Sequence, residues 1–132
     1  MHIRSILVRR LLPIEELDKA VEAYQILFNQ PARLRFEYPE KNLRIAQIGQ
    51  LLLIGGNAAS LEPFVDTSMT LLVHDLDAYA ACIPSGGASI VRQIQRVPGG
   101  RNMLVRQADG ALVEYVEHDH PNPADDTLRT HP

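Results

Sequence analysis

The feature that most constrains this chain is an internal repeat. Residues 49–54 read GQLLLI and align without a gap on residues 110–115, which read GALVEY. Each hexamer is preceded by a strand-like segment, a helical segment and two further strand-like segments. A duplicated unit of roughly sixty residues predicts two pseudo-symmetric halves that enclose a cavity. In this alignment Leu53 falls on the position of Glu114.

Hydrophobic periodicity predicts the same order of elements, β-α-β-β-β, in both halves. In the first half, apolar residues recur at spacings of three and four after Pro13, which indicates an amphipathic helix. In the second half, Asp75 can cap the corresponding helix, and Asp109-Gly110 is a strong hairpin signal. The predicted strands are residues 3–9, 33–38, 43–48 and 51–54, then 68–73, 89–97, 102–107 and 111–116.

These elements define a single domain, residues 1–119, built from two modules. The modules cover residues 1–57 and 67–119, and residues 58–66 read as a linker that contains Pro63. The last segment, residues 120–132, holds three prolines and mostly polar residues. We expect it to be a disordered tail.

Composition excludes several classes of function. The net charge of -3 provides no basic field for nucleic acid, and aromatic residues make up only 5% of the chain. The longest apolar stretches are far too short to cross a bilayer, so no membrane partner is expected. Cys82 is the single cysteine, which excludes an internal disulfide and indicates a reducing, cytoplasmic location.

Three segments carry a family resemblance: LVHDLDA at residues 72–78, PGGR at 98–101 and DGALVEYVE at 109–117. With the doubled βαβββ order, the chain resembles the vicinal oxygen chelate superfamily of glyoxalases, bleomycin resistance proteins and extradiol dioxygenases. The resemblance implies an α+β fold in which two tandem βαβββ modules form a curved mixed sheet around a cleft. It also implies a homodimer, the usual state of small members.

The resemblance further places the metal-ligand positions of enzymatic members on Ser5, Leu53, Ser68 and Glu114. A divalent metal needs three or four nitrogen, oxygen or sulfur donors. Leu53 has none, and neutral serine hydroxyls are poor ligands. We therefore expect no metal and no other cofactor.

Without a metal, Glu114 has two possible roles. It could act as a general base or bind a ligand amine, which makes it the candidate catalytic residue. It could instead be a structural carboxylate paired with Arg9, Arg92 or Arg106. His74, at a strand end, could line the cleft or simply face solvent.

The sequence thus favours a metal-free protein that holds a small molecule in a cleft, for sequestration or resistance. An enzyme of the same superfamily is the alternative: a lyase, isomerase or dioxygenase that depends on a metal or on Glu114. A structural or regulatory dimer without chemistry is the third possibility. The predicted ligand-binding residues are Ser5, Leu7, Arg9, Leu53, Ser68, Thr70, Leu72, His74, Glu114 and Val116.

Overall fold

The computed structural model describes residues 2–128, which divide into two compact units. The N-terminal unit comprises residues 8–66, and the C-terminal unit comprises residues 2–7 and 67–128. Strand β1 contributes its first residues to the C-terminal unit and the others to the N-terminal unit. The strands are β1 (Ile3–Pro13), β2 (Leu34–Tyr38), β3 (Leu43–Ile48), β4 (Leu51–Gly56), β5 (Thr67–Val73), β6 (Ser89–Val97), β7 (Gly100–Arg106) and β8 (Leu112–His118).

In the N-terminal unit one helix packs on a four-stranded mixed sheet of order β2-β3-β4-β1. The helix, α1 (Leu17–Phe28), ends at Asn29, whose left-handed backbone forms the C-cap. Its buried face presents Leu17 and Val21 to the sheet. Contact is close at Gly55, where a Cβ atom would lie 3.2 Å from that of Leu17.

The C-terminal unit repeats this arrangement with strand order β1-β5-β8-β7-β6. Its helix, α3 (Leu76–Cys82), begins at Asp75, whose side chain accepts a hydrogen bond from the Ala78 amide. The helix covers one face of the sheet. The buried core on that side consists of Leu71, Val73, Leu76, Ile83, Met103, Val105, Val113 and Tyr115.

The predicted α+β class and the β-α-β-β-β order of each half are confirmed. The segment predicted as the linker, residues 58–66, is largely helical. It forms α2 (Ala58–Leu61) and a 3₁₀ turn at Glu62–Phe64. Asn57 and Ser60 form a reciprocal capping box at the start of α2, which explains why the helix begins there.

The prediction of disorder for the tail is wrong for residues 120–128. This segment contains a 3₁₀ turn, Pro123–Asp125, and Asn122 caps the turn through the Ala124 amide. Polar contacts with β1 fix the segment, and composition alone gives no sign of such contacts. Residues 129–132 lie outside the described part of the chain.

Candidate functional site

The candidate site is built on the face of the C-terminal sheet that points away from α3. Side chains alternate along a strand, so the neighbours of Leu71, Val113 and Met103 project from this second face. Strand register arranges them in two rows. One row is Arg92, Leu104, Glu114, Thr70 and Leu7, and the next is Gln95, Asn102, Val116, Leu72 and Ser5.

Glu114 lies at the centre of the first row, and neighbouring strands orient its carboxylate. The Thr70 hydroxyl donates to Oε1 at 2.7 Å, and Asn102 Nδ2 donates to Oε2 at 2.7 Å. Asn102 Oδ1 in turn accepts from an Arg92 guanidinium nitrogen at 3.1 Å. Three strands therefore fix one half-buried carboxylate, and hydrogen bonds to an ionised group are stronger than neutral ones.

The two rows differ in exposure from one side to the other. Leu7, Thr70 and Leu72 are each at most 2% exposed. Leu104 and Val116, by contrast, are half-buried, as is Glu114. The part of this face that a ligand can contact therefore lies on β6, β7 and β8, around the carboxylate. Of the predicted ligand-binding residues in this unit, Glu114 and Val116 are in that part.

The two predicted serines differ in environment. Ser5 is 1% exposed, and its hydroxyl lies 3.0 Å from the hydroxyl of Thr127 in the C-terminal segment. Ser68 is exposed at a bulge in β5, and its hydroxyl donates to the Leu112 carbonyl. His74 is exposed beyond the end of β5 and contacts the ring of His2. Only Ser5 of these predicted residues is in the two rows.

The prediction that Leu53 lines the site face is wrong. Its side chain is fully buried in the core between α1 and the N-terminal sheet, beside Leu17 and Val21. The gapless alignment failed because the two hairpins differ in length. Only two residues separate the paired Ile48 and Leu51, whereas residues 107–111 form the loop between β7 and β8. Leu53 therefore shares the helix-facing side that Val113 and Tyr115 occupy in β8.

Arg9 is the other predicted residue outside the C-terminal unit. It lies in the N-terminal unit, where it is half-buried and pairs with Leu52 across the parallel β1–β4 ladder. Leu52 and Ile54 alternate with Leu53, so they occupy the opposite face of β4. Both residues are apolar. If either one takes the position first assigned to Leu53, β4 still presents no metal-binding side chain on that face.

The side chains at the four positions that the family resemblance assigns to metal ligands do not fit a divalent ion. Ser5 is hydrogen-bonded to Thr127, Leu53 has no donor, and Ser68 is engaged with a main-chain carbonyl. Only Glu114 has a strong ligand group. Within residues 2–128, no three His, Cys, Asp or Glu side chains come together as a metal-binding group.

His118 lies at the end of β8, on the same strand face as Glu114 and Val116. Burial of the ring has the largest effect on its pKa and lowers it, and the nearby charge of Arg4 lowers the pKa further. Asp125, Glu114 and Asp119 act in the opposite direction. Burial therefore favours the neutral imidazole, although it lies in a cluster of charged groups from β1, β8 and the C-terminal segment.

Sequence reasoning missed Asn102, His118 and the contacts of the C-terminal segment. Asn102 alternates with Met103 on a strand, and its position beside Glu114 depends on the register of β7 against β8. Arg92 was among the possible partners of the carboxylate, and its link to Asn102 places it in this network.

No helix among residues 2–128 has the length and apolar character needed to cross a membrane. Comparison with known proteins gives no matching family model and no matching curated protein. Solved structures do match. An uncharacterized protein from Methanosarcina mazei shares 41% identity, with a TM-score of 0.84, over 92% of this chain and 98% of that one. This identity and coverage make the two proteins members of one family.

Two methylmalonyl-CoA epimerases are also similar. The Mycobacterium tuberculosis protein has 20% identity and a TM-score of 0.70, over 89% of this chain and 90% of that one. A Streptomyces coelicolor variant in complex with 2-nitronate-propionyl-CoA has 18% identity and a TM-score of 0.65, over 90% and 100%. The chain therefore shares the fold of these epimerases, and the predicted α+β arrangement of two tandem βαβββ modules is confirmed. At these identities the likeness to the epimerases concerns the fold, because one superfamily scaffold supports many functions.

Proposed function

We propose that this chain is a vicinal oxygen chelate protein that binds a small molecule without a metal, with Glu114 accepting a hydrogen bond from a cationic group of the ligand. The observation that carries the proposal is the carboxylate held between Thr70 and Asn102 at 2.7 Å each. Such a fixed acceptor needs no reorganisation when a ligand arrives, which reduces the cost of binding.

The surroundings of the carboxylate support a ligand that is partly apolar. Leu104 lies opposite Glu114 on β7, and Val116 lies two residues further along β8. Both are half-buried, so a ligand can cover apolar surface while its donor group reaches the carboxylate. A few polar groups in an apolar setting are typical of small-molecule sites.

The proposal can be tested with phenethylamine and its neutral analogue phenethyl alcohol. Binding of each would be measured by saturation-transfer NMR titration to wild type and to Glu114→Gln. A glutamine keeps the shape and can still accept from Asn102 while its amide faces the Thr70 hydroxyl. We expect the amine to bind wild type about tenfold more tightly than the alcohol, because charge-assisted hydrogen bonds contribute about 1.5–3 kcal/mol. Glu114→Gln should remove that preference.

Glu117→Gln is the matched control. Glu117 is on the same strand but on the α3 side, where it accepts from the Leu76 amide and pairs with Arg101. This variant should be less stable yet keep the preference for the amine. Equal affinity of wild type for amine and alcohol, or an unchanged preference in Glu114→Gln, would contradict the proposal.

A second candidate is an enzyme in which Glu114 removes a proton from a carbon acid. The fold likeness to methylmalonyl-CoA epimerases favours it. Incubating the protein with methylmalonyl-CoA in D₂O and following deuterium incorporation by mass spectrometry separates the two. Incorporation above the rate without protein, and lost in Glu114→Gln, would favour the enzyme over the binding protein.

The homodimer and the cytoplasmic location stay predictions from sequence. We expect sedimentation equilibrium to give twice the mass of the chain. A measured mass equal to that of one chain, at micromolar protein concentration, would exclude a stable homodimer.

A further inference from the structure

The C-terminal strap, residues 122–128, is held against β1 by a buried arginine. Arg4 is 3% exposed, and its Nε lies 2.6 Å from Asp126 Oδ1. Another guanidinium nitrogen donates to the Asn122 carbonyl at 2.7 Å. The Arg4 carbonyl in turn accepts from the amides of Thr127 and Leu128. One residue of β1 thus anchors both ends of the strap.

The strap lies on one end of the candidate site. Its Thr127 hydroxyl is 3.0 Å from Ser5, the last residue of the second row, and Ser5 is 1% exposed. Asp125, also nearly fully buried, is close enough to His118 to affect its charge state. Ser5 and His118 are both on the face that carries Glu114.

Polar contacts rather than apolar packing hold the strap in place. Its buried side chain is the carboxylate of Asp125, whereas Leu128 is 40% exposed. A short segment with little apolar burial opens at a lower free energy than the strands beneath it.

We propose that the strap is a releasable cover that restricts ligand access to the Ser5 end of the Glu114 face. This inference rests on the proposed function of that face. Its key contact is the Arg4–Asp126 ion pair, because loss of the carboxylate leaves a buried guanidinium without that partner. Asp126→Asn should therefore open the strap, and an open strap should let phenethylamine bind more tightly.

The opening can be measured without any ligand, by thiol labelling. Ser5→Cys is introduced together with Cys82→Ala, because Cys82 is exposed and would react. With the strap in place, the new thiol should react slowly with DTNB. Adding Asp126→Asn should raise the rate by about tenfold or more.

Asp119→Asn is the matched control. Asp119 also has an arginine partner at 2.6 Å, Arg96, but both side chains are exposed. It should leave the labelling rate unchanged. The inference would be overturned if the Ser5→Cys thiol reacted as fast in the protein that keeps Asp126 as in the protein that also carries Asp126→Asn.

Hydrogen exchange of the protein with its natural Ser5 provides a second measurement, since a cysteine could disturb the strap. Asp126→Asn should speed exchange at Thr127 and Leu128 and leave β8 protected. Equal acceleration in β8 would mean general unfolding, and unchanged exchange in the strap would mean no opening; each contradicts the inference.

Affinity for phenethylamine completes the test. Tighter binding in Asp126→Asn than in wild type supports regulation by the strap. Unchanged binding despite faster labelling shows that the strap does not control the site, which overturns the inference. The proposed function is judged separately by the Glu114→Gln comparison.

Discussion

Replacing Asn102 with aspartate tests the geometry around Glu114. Asn102 is 7% exposed and donates to Glu114 at 2.7 Å. An aspartate has the same shape but converts that donor into a second carboxylate. The variant loses a hydrogen bond to a charged group, about 1.5–3 kcal/mol, and gains a like-charge contact. Two unit charges 4 Å apart interact by about 4 kcal/mol at an effective dielectric constant of 20.

Two effects reduce this cost. Glu114 is half-buried and so partly screened by solvent, and Arg92 would pair with the new carboxylate in place of Asn102 Oδ1. We therefore expect Asn102→Asp to lower the free energy of unfolding at pH 7 by about 3 kcal/mol. At pH 5 the cost should shrink, because two adjacent carboxyl groups compete to share a proton.

Urea unfolding at pH 7 and pH 5, each relative to wild type at the same pH, measures both effects. Asn102→Ala is the control, since it removes the same hydrogen bonds without adding charge. Its cost should be smaller at pH 7 and similar at both pH values. If Asn102→Asp costs no more than Asn102→Ala at pH 7, or costs the same at pH 5, Asn102 does not contact Glu114 as described.

Three further predictions concern the core, a strand and a histidine. Leu17→Ala should lower the free energy of unfolding by about 2–5 kcal/mol in urea, because Leu17 is 2% exposed under the sheet; a cost like that of a surface residue would contradict this packing. Gly100→Ala should destabilise the protein more than Gly99→Ala in the same assay. A Cβ atom at Gly100 would collide with the Glu117 carbonyl, whereas at Gly99 only the positive φ of 76° opposes a side chain. The reverse order would contradict the β7–β8 register. Burial lowers the pKa of His118, so the unfolded state binds its proton more readily, and unfolding free energy should fall as pH drops below about 6.5. His118→Gln should flatten that fall, and an unchanged pH profile would refute the assignment.

The fold could be predicted because its signals are local and repeated. The apolar stripe of α1, the Asp75 cap and the Asp109-Gly110 turn each act within a few residues. Together with the duplicated order, they specify the strands and helices of both halves. The family segments at residues 72–78 and 109–117 then pointed to the superfamily.

The site was harder to predict because its residues lie next to one another only when neighbouring strands are aligned in the correct register. A one-residue shift moves a side chain to the other face of a sheet, and unequal hairpin loops produced that error at Leu53. Asn102 and Arg92 reach the Glu114 network only once β6, β7 and β8 are aligned. Glu114 itself could be singled out from the repeat, because it is the charged residue in an otherwise uncharged pair of hexamers.

The strap could not be predicted from composition. Its proline and its two acidic residues are typical of disorder, yet Asp126 pairs with an arginine more than one hundred residues away in sequence. That arginine, Arg4, lies on the first strand and is buried. The bulge between Ile3 and Ser5 lies at this residue, and no sequence pattern announces it.

The central claim is that protein side chains hold the Glu114 carboxylate and that the site works without a metal. Equilibrium dialysis of wild type and Glu114→Gln against Zn²⁺, Ni²⁺, Mn²⁺ and Co²⁺, followed by elemental analysis, tests it most directly. We expect wild type to retain no more of any ion than the variant does. One tightly bound ion per wild-type chain that is lost in Glu114→Gln would contradict the account.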